Sequence, residues 1–264
     1  MNKSNVFFFL LTFIVSININ YAQTHYYTVP DNINEDDYEL SFDNIVSKDD
    51  YCKMAIKVTN YSLDFLALKE VKIEYKGERF TQNGRNKEFI IPPGKYKSYT
   101  LLFDEKGNYN VNKFDVNVNG LFLIPSDGKQ INTPDFNLPA STNHITTDDF
   151  EITLKNLKKE TKETVATFKV LYKGKAVGLV KPSNLVAVFK DKEGSGYANE
   201  SKMSATKVLK RGDKCTIKAI FRISAKDGDM QFVPMQILWK NTFQTTQEEK
   251  LEDQQINFSL DFKK

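Results

Sequence analysis

Histidine and cysteine are nearly missing from this chain, with two of each in 264 residues. Neither His25 nor His144 has a cysteine or a second histidine at metal-ligand spacing, which argues against a zinc site of the usual composition. A Ser-His-Asp or Cys-His machine would need one of these two residues. Phosphate-cradling loops are lacking as well, because Gly194-Ser195-Gly196 is followed by neither Gly nor Lys-Ser/Thr. Past the first residues no apolar run approaches the roughly 20 residues that span a bilayer. Amphipathic helical periodicity is absent too, with only Leu63 to Glu70 reading as a short helical turn. Basic residues number 14 against 18 acidic ones in residues 23–138, and 22 against 16 in residues 139–264. They alternate with apolar residues and form no dense basic patch of the kind that nucleic acid selects. These deficits predict no catalytic residues, no metal, no cofactor and no nucleic-acid partner.

What is present begins with an export segment. Lys3 precedes an apolar run from Val6 to Ile17, and Asn20-Tyr21-Ala22 places a small residue just before Gln23. This layout predicts a signal peptide over residues 1–22 and a periplasmic or secreted mature chain with no membrane span. No cysteine lies near the cleavage point to carry a lipid anchor. Strand phase assigns the two cysteines. Cys52 alternates onto the face of Met54, Ile56 and Val58, and Cys215 onto that of Ile217, Ala219 and Phe221. Both are expected as free thiols in separate cores.

The chain also repeats itself. Asp37-Tyr38-Glu39-Leu40-Ser41-Phe42-Asp43-Asn44-Ile45 aligns with Asp149-Phe150-Glu151-Ile152-Thr153-Leu154-Lys155-Asn156-Leu157, and Ile56-Lys57-Val58 falls on Phe168-Lys169-Val170. Pro93-Gly94-Lys95 before Tyr99 to Phe103 matches Arg211-Gly212-Asp213 before Ile217 to Phe221. Period-two runs such as Phe150, Ile152 and Leu154 are separated by turn residues at Asn83-Gly84, Pro93-Gly94, Lys106-Gly107-Asn108, Asp127-Gly128 and Asp227-Gly228-Asp229. Short strands at this spacing predict a sandwich of about seven strands per unit.

The succession of a Phe-Glu-Ile-Thr-Leu strand, an alternating apolar strand, and a Gly turn before Lys-x-x-x-Ile-x-Ala-Ile-Phe resembles the small immunoglobulin-like domains of unknown function in exported bacterial proteins. The resemblance covers most of residues 37–124 and 149–240. It implies an all-β chain of two tandem immunoglobulin-like sandwiches, at 23–124 and 149–264, and the stretch between them at 125–148, rich in Asn, Thr, Ser and Pro, reads as a linker with one edge strand around Phe136. The family brings no catalytic residues. The acidic clusters Asp31, Glu35, Asp36, Asp37 and Asp148, Asp149 lack the alternate spacing and central Gly of a Ca²⁺ loop, so they read as solvated residues before strands. Tyr26, Tyr27, Tyr61, Tyr96, Tyr109 and Tyr197 lie in or near expected loops and could stack on a sugar, while Trp239, alternating with Ile237, reads as core. The expectation is a non-enzymatic protein-interaction or scaffold protein of the envelope or exterior. A carbohydrate-binding module and a two-domain periplasmic chaperone are the alternatives.

Overall fold

The computed structural model describes residues 24–75, 78–81, 88–104, 109–189, 196–223 and 228–263. The expected signal segment at 1–22 and the expected turns at Asn83-Gly84 and Lys106-Gly107-Asn108 lie outside these residues. Among the described residues the chain is all-β, with several antiparallel sheets, no α-helix and a short 3-10 turn at Pro182–Asn184.

Alternation of apolar and polar side chains lets each strand bury one face and wet the other. In the first repeat, β3 (Tyr38–Lys48) pairs with β4 (Tyr51–Asn60), and β4 pairs with β9 (Tyr96–Phe103). Two short strands, β1 (His25–Tyr26) and β2 (Ile33–Asn34), add to β3 from the segment that precedes it. Facing this sheet are two strands that each break midway, β5 (Phe65–Leu68) continuing as β6 (Lys72–Tyr75) and β10 (Lys113–Val118) as β11 (Leu121–Ile124). β7 (Glu78–Thr81) pairs with β6 and β8 (Phe89–Ile91) with β5. Leu40, Phe42, Ile56, Val58 and Leu101 from the first layer share one core with Leu66, Ile73, Val116 and Val118 from the second.

The second repeat follows the same plan. β15 (Phe150–Lys159), β16 (Glu163–Tyr172) and β21 (Lys214–Arg222) form one layer, with β14 (His144–Thr146) added to β15. The facing strands are β17 (Val177–Val180) with β18 (Val186–Phe189), β19 (Tyr197–Ala198), β20 (Lys207–Leu209), and β22 (Met235–Leu238) with β23 (Phe243–Thr246). The aligned segments occupy equivalent places. Ile56 sits opposite Tyr99, and its counterpart Phe168 sits opposite Ile217. Each first hairpin carries an irregularity at the aligned asparagine, between Asp43 and Val46 and between Leu154 and Asn156. Gly94 and Gly212 both take positive φ, at 62° and 91°, in the matched turns where a side chain would be strained.

Three segments depart from the expected layout. Residues 125–148 hold the expected strand at Phe136 as β13 (Phe136–Leu138) but also supply β12 (Lys129–Gln130) and β14, so that all three pair with the second repeat. Phe136 and Leu138 alternate with Asn137 and are buried in the second core, which fixes them there. The closing residues of 149–264 do not stay with the second repeat. β24 (Glu249–Lys250) pairs with β11, and β25 (Gln254–Ser259) pairs with β10, so Ile256 and Phe258 enter the first core. Finally, the expected helical turn at Leu63 to Glu70 is β5. All four of its residues are buried, which erases the alternation that marks a strand.

The burial of β5 on both faces has a partner in β17, whose four residues are also buried. The outer faces of these equivalent strands meet in a third apolar cluster of Phe65, Ala67, Ile124, Val177 and Leu179. The repeats are therefore joined by matched surfaces as well as by exchanged strands.

Candidate interaction surface

His25 and Cys52 both sit opposite Ser47, on the two strands that flank β3, whereas His144 and Cys215 belong to the second repeat. His25 lies in β1. His144 is exposed in β14, with Nδ1 3.2 Å from Thr153 Oγ1 and Nε2 2.8 Å from Thr146 Oγ1. Cys52 is buried in the first core and Cys215 half-buried against the second, and both are free. Burial pushes the Cys52 thiol up to about 12 and the Cys215 thiol to about 11, the latter moderated by Lys207. No group of three or more His, Cys, Asp or Glu is arranged to hold a metal among the described residues.

The acidic positions that precede the two main hairpins have a structural part. Asp37 and Asp149 occupy equivalent places and use their backbone carbonyls, which accept from Tyr61 N (2.8 Å) and Lys173 N (2.7 Å). Asp31, Glu35, Asp36 and Asp148 are exposed.

Burial sorts the aromatic residues. Trp239 packs among Phe136, Phe168 and Phe243 in the second core. Tyr27 and Tyr109 are buried, and Tyr197 is half-buried against Phe189. Tyr26, Tyr61 and Tyr96 remain exposed.

Two of these exposed rings belong to one surface. On the outer face of β3, β4 and β9, Glu39, Thr59 and Tyr96 form one cross-strand row, and Ser41, Lys57 and Ser98 form another. The Lys57 ammonium lies 4.8 Å from the centre of the Tyr96 ring, a cation–π distance. Tyr61, just past the end of β4, donates its hydroxyl to Glu39 Oε2 at 2.6 Å, and this bond raises the phenol above its ordinary value. Asn32 Nδ2 donates to the other oxygen of Glu39 at 2.6 Å. Leu63, in the turn that follows Tyr61, is 88% exposed.

The second repeat lacks this surface. Lys173 stands where Tyr61 does and pairs with Glu151 at 3.0 Å, and Lys214 takes the place of Tyr96 opposite Leu171. Sequence reasoning singled out Tyr61 and Tyr96 but not Glu39, Lys57 or Leu63. The signal was available in the repeat alignment, where two tyrosines on an outward phase face two lysines.

A polar groove of about 470 Å³ lies along β6, β10 and the approach to β25, lined by Glu74, Asp115, Asn117 and Asp253 among others. Two pairs of its side chains bond each other, while Asn119 Oδ1 is buried there without a hydrogen-bond partner among the described residues. Gln255 Nε2 donates to Asp115 Oδ2 at 3.1 Å, and Asn117 Nδ2 donates to Glu74 Oε2 at 3.5 Å.

These features define an all-β protein of two layered, strand-sharing repeats with an aromatic surface on the first. No protein-family model matches the chain, and no curated protein does. Among solved structures it is similar to an exo-β-D-glucosaminidase complex at 13% identity and a TM-score of 0.25, covering 75% of this chain and 25% of that one. The Amycolatopsis orientalis exo-chitosanase CsxA matches at 12% identity and 0.24, with the same coverage. The secreted serine protease VesC from Vibrio cholerae matches at 9% and 0.19, over 71% of this chain and 46% of that one. The chain thus spans a quarter of the length of the first two. Likenesses this weak bear on neither fold nor activity.

Proposed function

We propose that the chain is a non-enzymatic extracytoplasmic interaction protein built on two immunoglobulin-like sandwiches, and that it binds another envelope or extracellular protein through the Tyr61–Leu63–Tyr96 surface. Seven principal strands per repeat, divided three and four between facing layers, support the sandwich assignment. The count is that of a constant-type immunoglobulin domain, with the fourth strand carried on the opposite sheet. The apolar run ahead of Gln23 supports export.

The observation that carries the binding reading is the exposure of Tyr61 and Tyr96 at the two ends of the Glu39–Thr59–Tyr96 row, with exposed Leu63 two residues beyond Tyr61, where the second repeat has lysines in place of the tyrosines. Tyrosine offers large, stiff contact area with a polar tip, which makes it a frequent anchor in interfaces. Glu39 and Lys57 beside the rings supply a charged rim. The same pair of tyrosines next to a carboxylate favours a glycan as the second reading, since a sugar stacks on rings while its hydroxyls bond to polar neighbours.

The test is capture from envelope extracts with the chain from Gln23 onward, beside a glycan array, using wild type and Tyr61→Ala/Tyr96→Ala. A captured polypeptide that is lost with the double variant is the expected result. Capture unchanged by the variant removes this surface from the reading. A glycan signal that depends on the two tyrosines, with no captured polypeptide, replaces the protein partner with a sugar.

A further inference from the structure

The two repeats exchange their last strands reciprocally. After β11 the chain leaves the first repeat, and β12 and β13 complete the sheets of the second. After β23 it returns, and β24 and β25 complete the first.

The equivalence reaches single residues. Phe136 lies opposite Ile237 and Leu138 opposite Met235, while Ile256 lies opposite Val116 and Phe258 opposite Phe114. Ile131 N donates to Phe243 O at 2.9 Å, and Leu251 N donates to Leu121 O at 3.0 Å. A lysine holds each crossing at the same point. Lys181 Nζ pairs with Asp127 at 2.9 Å, and Lys69 Nζ pairs with Glu248 while lying 3.7 Å from the centre of the Phe122 ring. The molecule has the connectivity of a strand-exchanged dimer whose two subunits have been fused.

In such an arrangement the contacts of a donated strand are the same whichever molecule supplies it. We propose that the edge formed by β10 and β11 is a strand-acceptor site for an extended peptide with apolar residues in the places of Ile256 and Phe258. Its second occupant is the β24–β25 arm of another copy of this chain, so that two molecules join by trading these arms. Exchange of an identical element is a low-cost route to dimers, opposed mainly by the effective concentration of the arm already attached. The other crossing is less free to move, because β12–β13 runs on into β14, which is paired with β15. The β24–β25 arm is followed, in the described chain, by the bridge between Leu260 and Tyr27, where Thr28 N donates to Ser259 O, Leu260 N to Asn112 O and Asp261 N to Tyr26 O, and by no further named strand.

The test uses the full chain with Asn117→Cys and Gln255→Cys, a pair directly opposite across β10 and β25. Reduced protein is held at high concentration just below its melting temperature, cooled and oxidised. The expected product is a disulfide-linked dimer joining position 117 of one copy to position 255 of another, shown by mixing isotopically light and heavy chains. Protein oxidised before this treatment should hold only internal links and stay monomeric. Internal links without any between copies, at every concentration, would overturn the proposal. The unaltered chain treated in the same way should show a concentration-dependent dimer in size exclusion, and a strictly monomeric profile also overturns it.

Discussion

Cys52 and Cys215 occupy equivalent phases in strands of different repeats, yet their surroundings differ. Cys52 is 1% exposed, and burial alone lifts its thiol to about 12. Cys215 is half-buried at the edge of β21, where Lys207 partly offsets the same effect. Only the thiolate attacks an alkylating reagent. In folded protein at pH 8, Cys215 should therefore label slowly and Cys52 only after unfolding, read by mass spectrometry of time points. The raised value also carries a pH dependence. An unfolded Cys52 ionises near 9.0, while the folded one holds its proton to about 12. Its contribution to stability is complete below pH 9 and is lost as pH climbs from 9 toward 12, by up to about 1.4 kcal/mol per unit for this group. Denaturant midpoints at pH 8, 9, 10 and 11 should fall over the last three, and Cys52→Ala should flatten the fall. Residue equivalence extends to unlike side chains. Asn60 Nδ2 donates to Asp64 O at 2.8 Å, and at the matching position the Tyr172 hydroxyl donates to Ala176 O, also at 2.8 Å. A half-buried carbonyl is bonded at the same place in each repeat, and an amide and a phenol both reach it.

Strands on the open layers were legible in the sequence because one wetted face keeps the alternation intact. β3, β4, β15, β16 and β21 all read correctly, and the aligned turn at Gly94 and Gly212 followed from their spacing. β5 was misread because its second face is covered by the other repeat, a contact that no local pattern announces. The candidate surface was half legible, for Tyr61 and Tyr96 were visible as aromatics near strand ends. Their exposure depended on which of six tyrosines the fold would bury. The breaks between β5 and β6 and between β10 and β11 add a constraint of another kind. A Cβ on Gly120 would come 2.2 Å from Glu70 N and 2.8 Å from Glu70 O, both backbone atoms with little room to yield. Gly120→Ala should lower stability by about 1 to 3 kcal/mol, the usual cost of forcing atoms into filled space. Chemical denaturation checks this, and an unchanged midpoint would mean that the two strands part easily at the break.

At the scale of the whole molecule, the repeat predicted two halves that each carry a full set of inward-facing residues. Exchange of strands removes that independence, since each core holds residues from both sides of the crossings. Phe168 is fully buried against Phe136 and Trp239, so Phe168→Ala should cost about 3 to 5 kcal/mol. Loosening the second core releases β13 and disturbs the chain leading into β24–β25. The first repeat should therefore melt at a lower temperature in the same variant, and calorimetry should show one coupled transition shifted downward. A first repeat that melts at an unchanged temperature would show that the crossings transmit nothing. The reach of the second crossing also sets the timing of folding. Phe114 and Phe258 face each other across β10 and β25, although nearly the whole second repeat separates them along the chain. Contacts so distant in sequence form late. While the polypeptide is being synthesised, the first repeat lacks its last strand until Gln254–Ser259 emerge, so its two layers close only once the second repeat has been made.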